Sequence, residues 1–356
     1  MLEQQEILGL LAIGLGVFAG FILFVPFIWF SYRKQGGLSA GRFALWAAAL
    51  VYFWAIWTYT LLPLPDPKEM QCAGTNLNPA LFMAEIRKAI QESSGNLVSF
   101  ATQTEVLQLA LNVLLFVPLG FFLRLLFKRG WLTALIVGAS LSLFIETTQL
   151  TGVWGLYPCA YRVFDVNDMM TNTLGAIAGS IVALAMPQGW HHRDAELSPD
   201  APRPVTKPRR LLAMLADFVG FSVISGAIGV AIQAVLILGL EKRDLVLETN
   251  ISSELAVGIT ALLWFGLTLA TGRTVGDFAV RLKYRSSALP ELLARFLRFL
   301  GGIGLYSIIL LLPQGWASYS TAFAAIAAIF TLLTSRGRGL PGLLSAQDVI
   351  DDREDK

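Results

Sequence analysis

The stretch that decides the fold is residues 142–180, SLFIETTQLTGVWGLYPCAYRVFDVNDMMTNTLGAIAGS. It joins two apolar segments, yet it carries Glu146, Gln149, Arg162, Asp165 and Asp168. A charged side chain inside a membrane span costs about 2.5–3.5 kcal/mol on insertion scales, so such groups usually face the interior of a helix bundle. The stretch therefore predicts two membrane helices joined by a loop, with a polar cluster where they meet.

The composition places the rest of the chain in a membrane as well. Of the 356 residues, 55% are hydrophobic and 15% are charged, whereas soluble domains carry about 25% charged residues. The mean hydropathy is +0.62. We expect an all-α, polytopic integral membrane helical bundle of about nine transmembrane helices in two halves.

The candidate spans are the mostly apolar runs of about 20 residues. They are residues 7–30, 43–62, 106–127, 131–151, 168–187, 211–240, 255–272, 297–312 and 317–335. The eighth is short and rich in glycine, so we expect a half-span or an interfacial helix there.

Basic residues near the span ends predict the orientation. They concentrate in segments 31–42, 128–130, 188–210 and 273–295, which alternate as cytoplasmic loops should. Nine spans then put the N-terminus outside and the C-terminus in the cytoplasm. Cys72 and Cys159 fall in loops on the outer side, where an oxidising compartment permits a disulfide. We expect these two cysteines to be bridged, with two free thiols as the alternative.

Polar residues at helical spacing suggest an outer polar cluster. Three spans place them at similar depth below one membrane face, and Arg162 lies just outside. The cluster comprises Gln108, Asn112, Glu146, Gln149, Arg162, Asp165, Asp168 and Asn172. It is either an outward-facing binding pocket or a hydrogen-bond network that fixes helix packing.

A second polar cluster, called the inner polar cluster, is expected in the second half at the cytoplasmic face of the membrane. It comprises Arg210, Asp217, Arg281, Arg295 and Arg298. Asp217 and Arg210 are seven residues apart on one helical face. The cluster is either a cytoplasmic-side ion or lipid-headgroup site, or a buried Asp–Arg pair that locks the helix in place.

The sequence favours a non-enzymatic protein. Carboxylates of the outer cluster could perform acid–base chemistry, but no histidine lies in a span, and no Walker, zinc or Gly-x-Ser-x-Gly motif is present. We therefore assign no catalytic residue, cofactor or metal. The expected partner is the lipid bilayer, not nucleic acid, and the oligomeric state stays open.

Several linked motifs of the first half resemble the VanZ-like membrane proteins. They are YTLLPLP (59–65), NVLLFVPLGFFLRLL (112–126), SLFIETTQ (142–149) and YRVFDVNDMMTNTLGAIAGS (161–180). The resemblance implies a bacterial cytoplasmic membrane protein associated with low-level resistance to glycopeptides, chiefly teicoplanin, and with the cell envelope. A lipid-linked envelope component or a glycopeptide would then be the ligand.

The second half resembles RDD membrane domains. RLLAMLAD (210–217) is similar to their Arg-x-x-Ala-x-x-x-Asp opening, and GRTVGDFAVRL (272–282) to their Gly-x-Thr-x-Gly segment, with Asp277 where a lysine is usual. The expected organisation is N-terminal transmembrane helices (1–58), a VanZ-like domain (59–187), a cytoplasmic linker (188–209), an RDD-like domain (210–335) and a charged cytoplasmic tail (336–356).

Two further functions compete with an outward-facing binding protein. A transporter would use Glu146, Asp168 or Asp217 as a proton or cation relay. An enzyme acting on a lipid-linked envelope substrate would use the outer carboxylates. The first alternative needs an aqueous route between the clusters, and the second needs a carboxylate pair with an open approach.

Overall fold

The computed structural model describes residues 2–66, 70–93, 96–187, 200–285, 288–313 and 319–354. Eight of the described helical segments are long and apolar enough to cross a membrane. These are Ile13–Gln35, Ala40–Leu61, Thr104–Phe127, Trp131–Leu150, Val166–Ala185, Lys207–Gly239, Ile251–Thr271 and Glu291–Leu310. The chain is therefore an all-α polytopic membrane protein, as the sequence predicts.

The last two candidate spans are less regular than the others. The eighth, Glu291–Leu310, is long and apolar enough to cross a membrane, but the backbone of Gly302 is not helical and breaks the run within the glycine-rich turn Leu300–Gly304. The ninth is a 15-residue helix, Tyr319–Leu333. At 1.5 Å per residue it is about 22 Å long, shorter than a hydrocarbon core of about 30 Å.

The chain divides into two compact units, and the boundary between them falls within the first helix. The first unit comprises Met1–Phe18 and Ala40–Ala195, and the second comprises Ala19–Ser39 and Glu196–Lys356. The linker histidines at 191 and 192 lie outside the described residues.

The first unit is a helical bundle with one short strand pair. Its helices are α1 (Leu2–Gln35, shared with the second unit), α2 (Ala40–Leu61), α3 (Leu81–Glu92), α4 (Leu97–Ala101), α5 (Thr104–Phe127), α6 (Trp131–Leu150), α7 (Gly152–Gly155) and α8 (Val166–Val182), followed by a 3-10 turn at Ala183–Ala185. Strand β1 (Thr75–Asn76) pairs in parallel with β2 (Phe164–Asp165).

Glycines allow α5 and α8 to pack with their backbones in contact. A Cβ atom added at Gly120 would lie 1.7 Å from the carbonyl oxygen of Ala176, and one added at Gly179 would lie 1.8 Å from that of Val117. Only residues without a Cβ permit this approach, as in other membrane helix pairs with small residues at the interface. The apolar core around this contact includes Phe116, which is fully buried.

Two loops of the first unit, the long one that precedes α3 and the one that precedes α8, are joined covalently. Cys72 and Cys159 form a disulfide with their Cα atoms 5.6 Å apart, which is the pairing expected from the sequence. The backbone N–H of Ala73 donates to the carbonyl of Ala160 at 2.8 Å, and the β1–β2 pair follows at once. The disulfide and the strand pair thereby fix the long loop beside the start of α8.

The second unit contains the remaining helices and a small antiparallel sheet. The helices are α9 (Lys207–Ala234), α10 (Arg243–Glu248), α11 (Ile251–Thr271), α12 (Val275–Ala279), α13 (Glu291–Phe299), α14 (Leu305–Leu310), α15 (Tyr319–Leu333) and α16 (Gly339–Leu344), with a π turn at Val235–Gly239 and a 3-10 turn at Ser335–Gly337. Strand β3 (Leu282–Arg285) pairs with β4 (Asp348–Asp351).

The small sheet is part of the hydrophobic core of the second unit. Leu282 is fully buried and Val349 is 3% exposed, and both pack with Ile28 of α1 and Ala213 of α9. Residues of the acidic C-terminal segment thus lie in the folded core, because alternate positions of β4 face inward.

Candidate functional site

The outer polar cluster is built around the start of α8. Asp165 is the N-cap residue of this helix, and its carboxylate accepts a hydrogen bond from the backbone N–H of Asn167 at 2.8 Å. The Asn76 amide donates to the same carboxylate at 3.0 Å. Glu146 of α6 accepts from the backbone N–H of Asp165 at 2.9 Å. Two carboxylates therefore satisfy donors at a helix N-terminus, where negative charge is favourable.

Amide side chains connect α8 to its two neighbours at greater depth. Asn112 of α5 donates to the Asp168 carboxylate at 2.6 Å. The Asn172 amide donates to the Ser142 hydroxyl of α6 at 2.9 Å. These contacts join three helices, and they place Asn112, Asp168 and Asn172 together as their spacing predicts.

Two buried amide oxygens of this region have no hydrogen-bond partner among the described residues. They are Oδ1 of Asn167 and Oδ1 of Asn172, on side chains that are 4% and 5% exposed. Leaving a buried acceptor unsatisfied costs about 1–3 kcal/mol. The network of α8 therefore retains the capacity to accept two further hydrogen bonds.

Gln149 and Arg162 bind the C-terminal end of α2. The Gln149 amide donates to the carbonyl of Thr60 at 2.8 Å. Arg162 donates to the same carbonyl at 3.2 Å and to that of Leu62 at 3.4 Å. The last carbonyls of a helix lack partners within it, and a cation there complements the helix dipole. Among the described residues, Arg162 uses its hydrogen bonds on carbonyls rather than on a carboxylate.

Burial divides the outer cluster into a core and a rim. Glu146 and Gln149 are 3% and 5% exposed, and Asn172 is buried with them. Asp165 and Asp168 are half-buried, whereas Arg162 is exposed. Gln108, which was predicted as a member of the outer cluster, is also exposed and is not part of this buried core. The rim is defined here as Arg162, Asp165 and Asp168.

The inner cluster is arranged differently from the expected Asp217–Arg210 pair. Arg210 forms a buried ion pair with Asp277 at 2.9 Å. Asp217 instead accepts hydrogen bonds from Trp264, from the Thr274 hydroxyl and from the backbone N–H of Gly276. Thr274 and Asp277 also form the capping box of α12. The position where the RDD pattern has lysine thus supplies the counter-ion of Arg210.

The other expected members of the inner cluster have partners elsewhere. Arg281 pairs with Asp352 at 3.0 Å and with Asp200 at 3.2 Å. Arg295 pairs with Glu291 and donates to the carbonyls of Leu269 and Ala270. These arginines therefore do not converge on Asp217.

Sequence reasoning missed a buried triad that involves the C-terminal segment. Asp351 is fully buried and contacts Arg209 at 2.7 Å and Arg353 at 2.5 Å. Burial alone would raise its pKa, but the hydrogen bonds from Arg353 and Arg209 outweigh burial and lower the pKa to about 2. The available signal was weak: the apolar pair Val349–Ile350 interrupts the charged run in DVIDDRED, but the run lacks the alternation of apolar and polar residues that indicates a strand.

Arg298, like Arg210 of the same cluster, lies over the aromatic ring of Tyr284. Its guanidinium carbon lies 4.1 Å from the ring centroid of Tyr284, and the residue is 3% exposed. None of its three side-chain nitrogens has a hydrogen-bond partner among the described residues.

The helices and the capped cluster define a polytopic membrane protein whose first unit holds its polar residues where three helices meet. Residues 46–187 match the family model described as VanZ/LLP1. The match covers the outer cluster and both cysteines, and it confirms the VanZ-like part of the expectation. It includes none of residues 207–335, for which the RDD resemblance stays a prediction. Comparisons with curated proteins and with solved structures find no match.

Proposed function

We propose that the protein is a non-enzymatic, multi-pass protein of the bacterial cytoplasmic membrane that binds an envelope component or a glycopeptide at the outer rim. The observation that carries this proposal is the position of the rim beside the disulfide. Disulfides persist in oxidising compartments, so this end of the first unit faces outward. The N-terminus then lies outside. The C-terminus lies in the cytoplasm although α15 is short, because β4 pairs with β3, which lies in the basic segment 273–295.

The rim has the chemistry for a ligand rich in amides and cations. Arg162 is exposed and can donate to carbonyl groups, while Asp165 and Asp168 can accept from N–H groups. Glycopeptides and the peptide stems of lipid-linked envelope precursors offer both kinds of group. The similarity of residues 46–187 to the VanZ/LLP1 family supports the same direction.

The test is a susceptibility assay on a pair of matched variants. The wild-type protein, Asp168→Asn and Glu105→Gln are produced in a glycopeptide-susceptible bacterium. Asp168→Asn keeps the oxygen that accepts from Asn112 and removes the rim charge. Glu105 is an exposed carboxylate in the first turn of α5, so its variant controls for loss of one negative charge.

We expect the wild-type protein and Glu105→Gln to decrease teicoplanin susceptibility, and Asp168→Asn to lose this effect at equal membrane abundance and monodispersity. A wild-type protein without effect on teicoplanin susceptibility would overturn the proposed function. Full activity of Asp168→Asn would show that the cluster only holds helices together.

A further inference from the structure

Two cavities of the second unit share one wall, which is formed by Tyr284 and Arg298. The larger has a volume of about 420 Å³ and is lined mainly by apolar side chains of α9, α15 and the α13–α14 turn. The smaller has a volume of about 340 Å³ and is lined mainly by polar and charged side chains. Both volumes fall near the lower part of the range for small-molecule sites, about 300–1,000 Å³.

Arg298 lies between the two cavities and has no hydrogen-bond acceptor among the described residues. The face of its guanidinium stacks on Tyr284, and the N–H groups lie along the edge of the same plane. Burial of an uncompensated charge is expensive, and arginine in such a position normally binds a carboxylate or a phosphate. The missing acceptor therefore points to an anionic ligand.

The charge distribution places the anion in the smaller cavity. Arg273, Lys283 and Arg295 line it, and Glu291 is its one acidic lining residue. The larger cavity has two carboxylates, but Asp277 is paired with Arg210. A negative head group is thus favoured on the polar side of Arg298.

The larger cavity suits a hydrocarbon chain. Its lining includes Leu215 and Phe218 of α9, which are 46% and 39% exposed. Both residues lie within a candidate membrane span, where exposed apolar side chains face lipid. An acyl chain can therefore enter from the bilayer.

We propose that these two cavities together bind an anionic phospholipid, with its phosphate at Arg298 and one acyl chain in the apolar cavity. Tyr284 supports the head group. Its hydroxyl accepts a hydrogen bond from Arg210 at 2.7 Å, and burial raises the pKa of Tyr284 to about 12. The hydroxyl is therefore protonated at neutral pH and can donate a hydrogen bond to a phosphate oxygen.

The experiment measures binding of three probes to the full-length protein in detergent by native mass spectrometry and thermal shift. The probes are phosphatidylglycerol, diacylglycerol (which lacks the phosphate) and inorganic phosphate. One charge-assisted hydrogen bond contributes about 1.5–3 kcal/mol, so phosphatidylglycerol should bind roughly 10- to 100-fold more tightly than diacylglycerol. Equal affinity for the two lipids would refute the proposal.

A pair of variants tests whether Arg298 binds the phosphate of the lipid. Arg298→Met should abolish the preference for phosphatidylglycerol without lowering the unfolding temperature of lipid-free protein. Removing a buried charge that has no hydrogen-bond partner among the described residues offsets the lost stacking on Tyr284. Arg285→Met is the matched control, since Arg285 is exposed on β3 and its substitution removes the same charge. This variant should still prefer phosphatidylglycerol. A preference that survives Arg298→Met, or disappears equally in Arg285→Met, would contradict a site at Arg298.

Ala324→Phe distinguishes a lipid from a free anion. Ala324 lines the larger cavity, and a phenyl ring there should occupy the space of the acyl chain. The variant should lose phosphatidylglycerol binding while the polar cavity stays intact. If inorganic phosphate stabilises the wild-type protein as strongly as the lipid does, or if Ala324→Phe binds lipid normally, the site is for a free anion and the lipid proposal fails.

Discussion

Gly179→Ala should separate α5 from α8 and destabilise the first unit. The added Cβ would lie 1.8 Å from the carbonyl oxygen of Val117 and 2.7 Å from its carbonyl carbon. Ordinary contacts of a Cβ are 3.4–4 Å, so the helices must separate locally by about 1.5 Å. The clashing atoms belong to the backbone of α5, which cannot move aside as a flexible side chain can.

The cost exceeds the gain in helix propensity. Overpacking a close contact costs about 1–3 kcal/mol. We expect a cost at the upper end of this range, because separating the helices at Gly179 also loosens the backbone contacts at Gly120 and Gly175 on the same interface. Replacing glycine by alanine within a helix returns about 0.8–1 kcal/mol. We expect a net loss of about 2 kcal/mol in the free energy of unfolding.

The assay is reversible unfolding of the purified protein in mixed micelles, followed by tryptophan fluorescence. Gly14→Ala is the matched control, because Gly14 lies in α1 with nothing within 4 Å of an added Cβ. It should leave the free energy unchanged or raise it by up to about 1 kcal/mol. If Gly179→Ala were as stable as Gly14→Ala, the backbones of α5 and α8 would not be packed in direct contact, and the reasoning would be refuted.

Three further perturbations test other parts of the structure. The depressed pKa of Asp351 means that its contribution to stability is present above about pH 4 and is lost as the pH falls through about 2. Asp351→Asn should therefore cost about 3–5 kcal/mol in unfolding free energy near neutral pH. The difference in unfolding temperature between wild type and variant should narrow as the pH falls from about 4 to about 2. Replacing Cys72 and Cys159 by serine should cost about 2–5 kcal/mol in unfolding free energy, and thiol labelling of the denatured, non-reduced wild type should find no reactive cysteine. Arg162→Gln should cost only about 1 kcal/mol, because the exposed arginine binds carbonyls of α2 rather than a buried carboxylate; a loss as large as that for Asp351→Asn would contradict this assignment.

Residues with helical spacing were predictable from the sequence. The positions of Asn112, Glu146 and Asn172 follow from 3.6 residues per turn and from the depth of each residue in its span. The distance between the two cysteines along the chain did not determine their pairing, but their common side of the membrane did favour it. Local periodicity and span topology were sufficient in these cases.

Side-chain partners in the second unit were not predictable in the same way. Arg210 could pair with Asp217 on its own helix face, yet it reaches Asp277, 67 residues away. Asp351 lies 142 residues from Arg209, and no local pattern links the two. Such pairings depend on how distant elements pack, and an acidic segment at the end of a chain resembles a solvated tail until that packing is known.

The polar residues between the apolar segments have two kinds of role, which burial separates. A helix that ends inside or near a membrane leaves N–H and C=O groups unsatisfied. Glu146 and Gln149 meet this need for α8 and α2, so they are required by the fold whether or not a ligand exists. Asp168 and Arg162 are accessible at the rim, and a polar ligand can compete for their hydrogen bonds. Substitutions in the buried pair should therefore change stability first, whereas substitutions at the rim should change function at nearly constant stability.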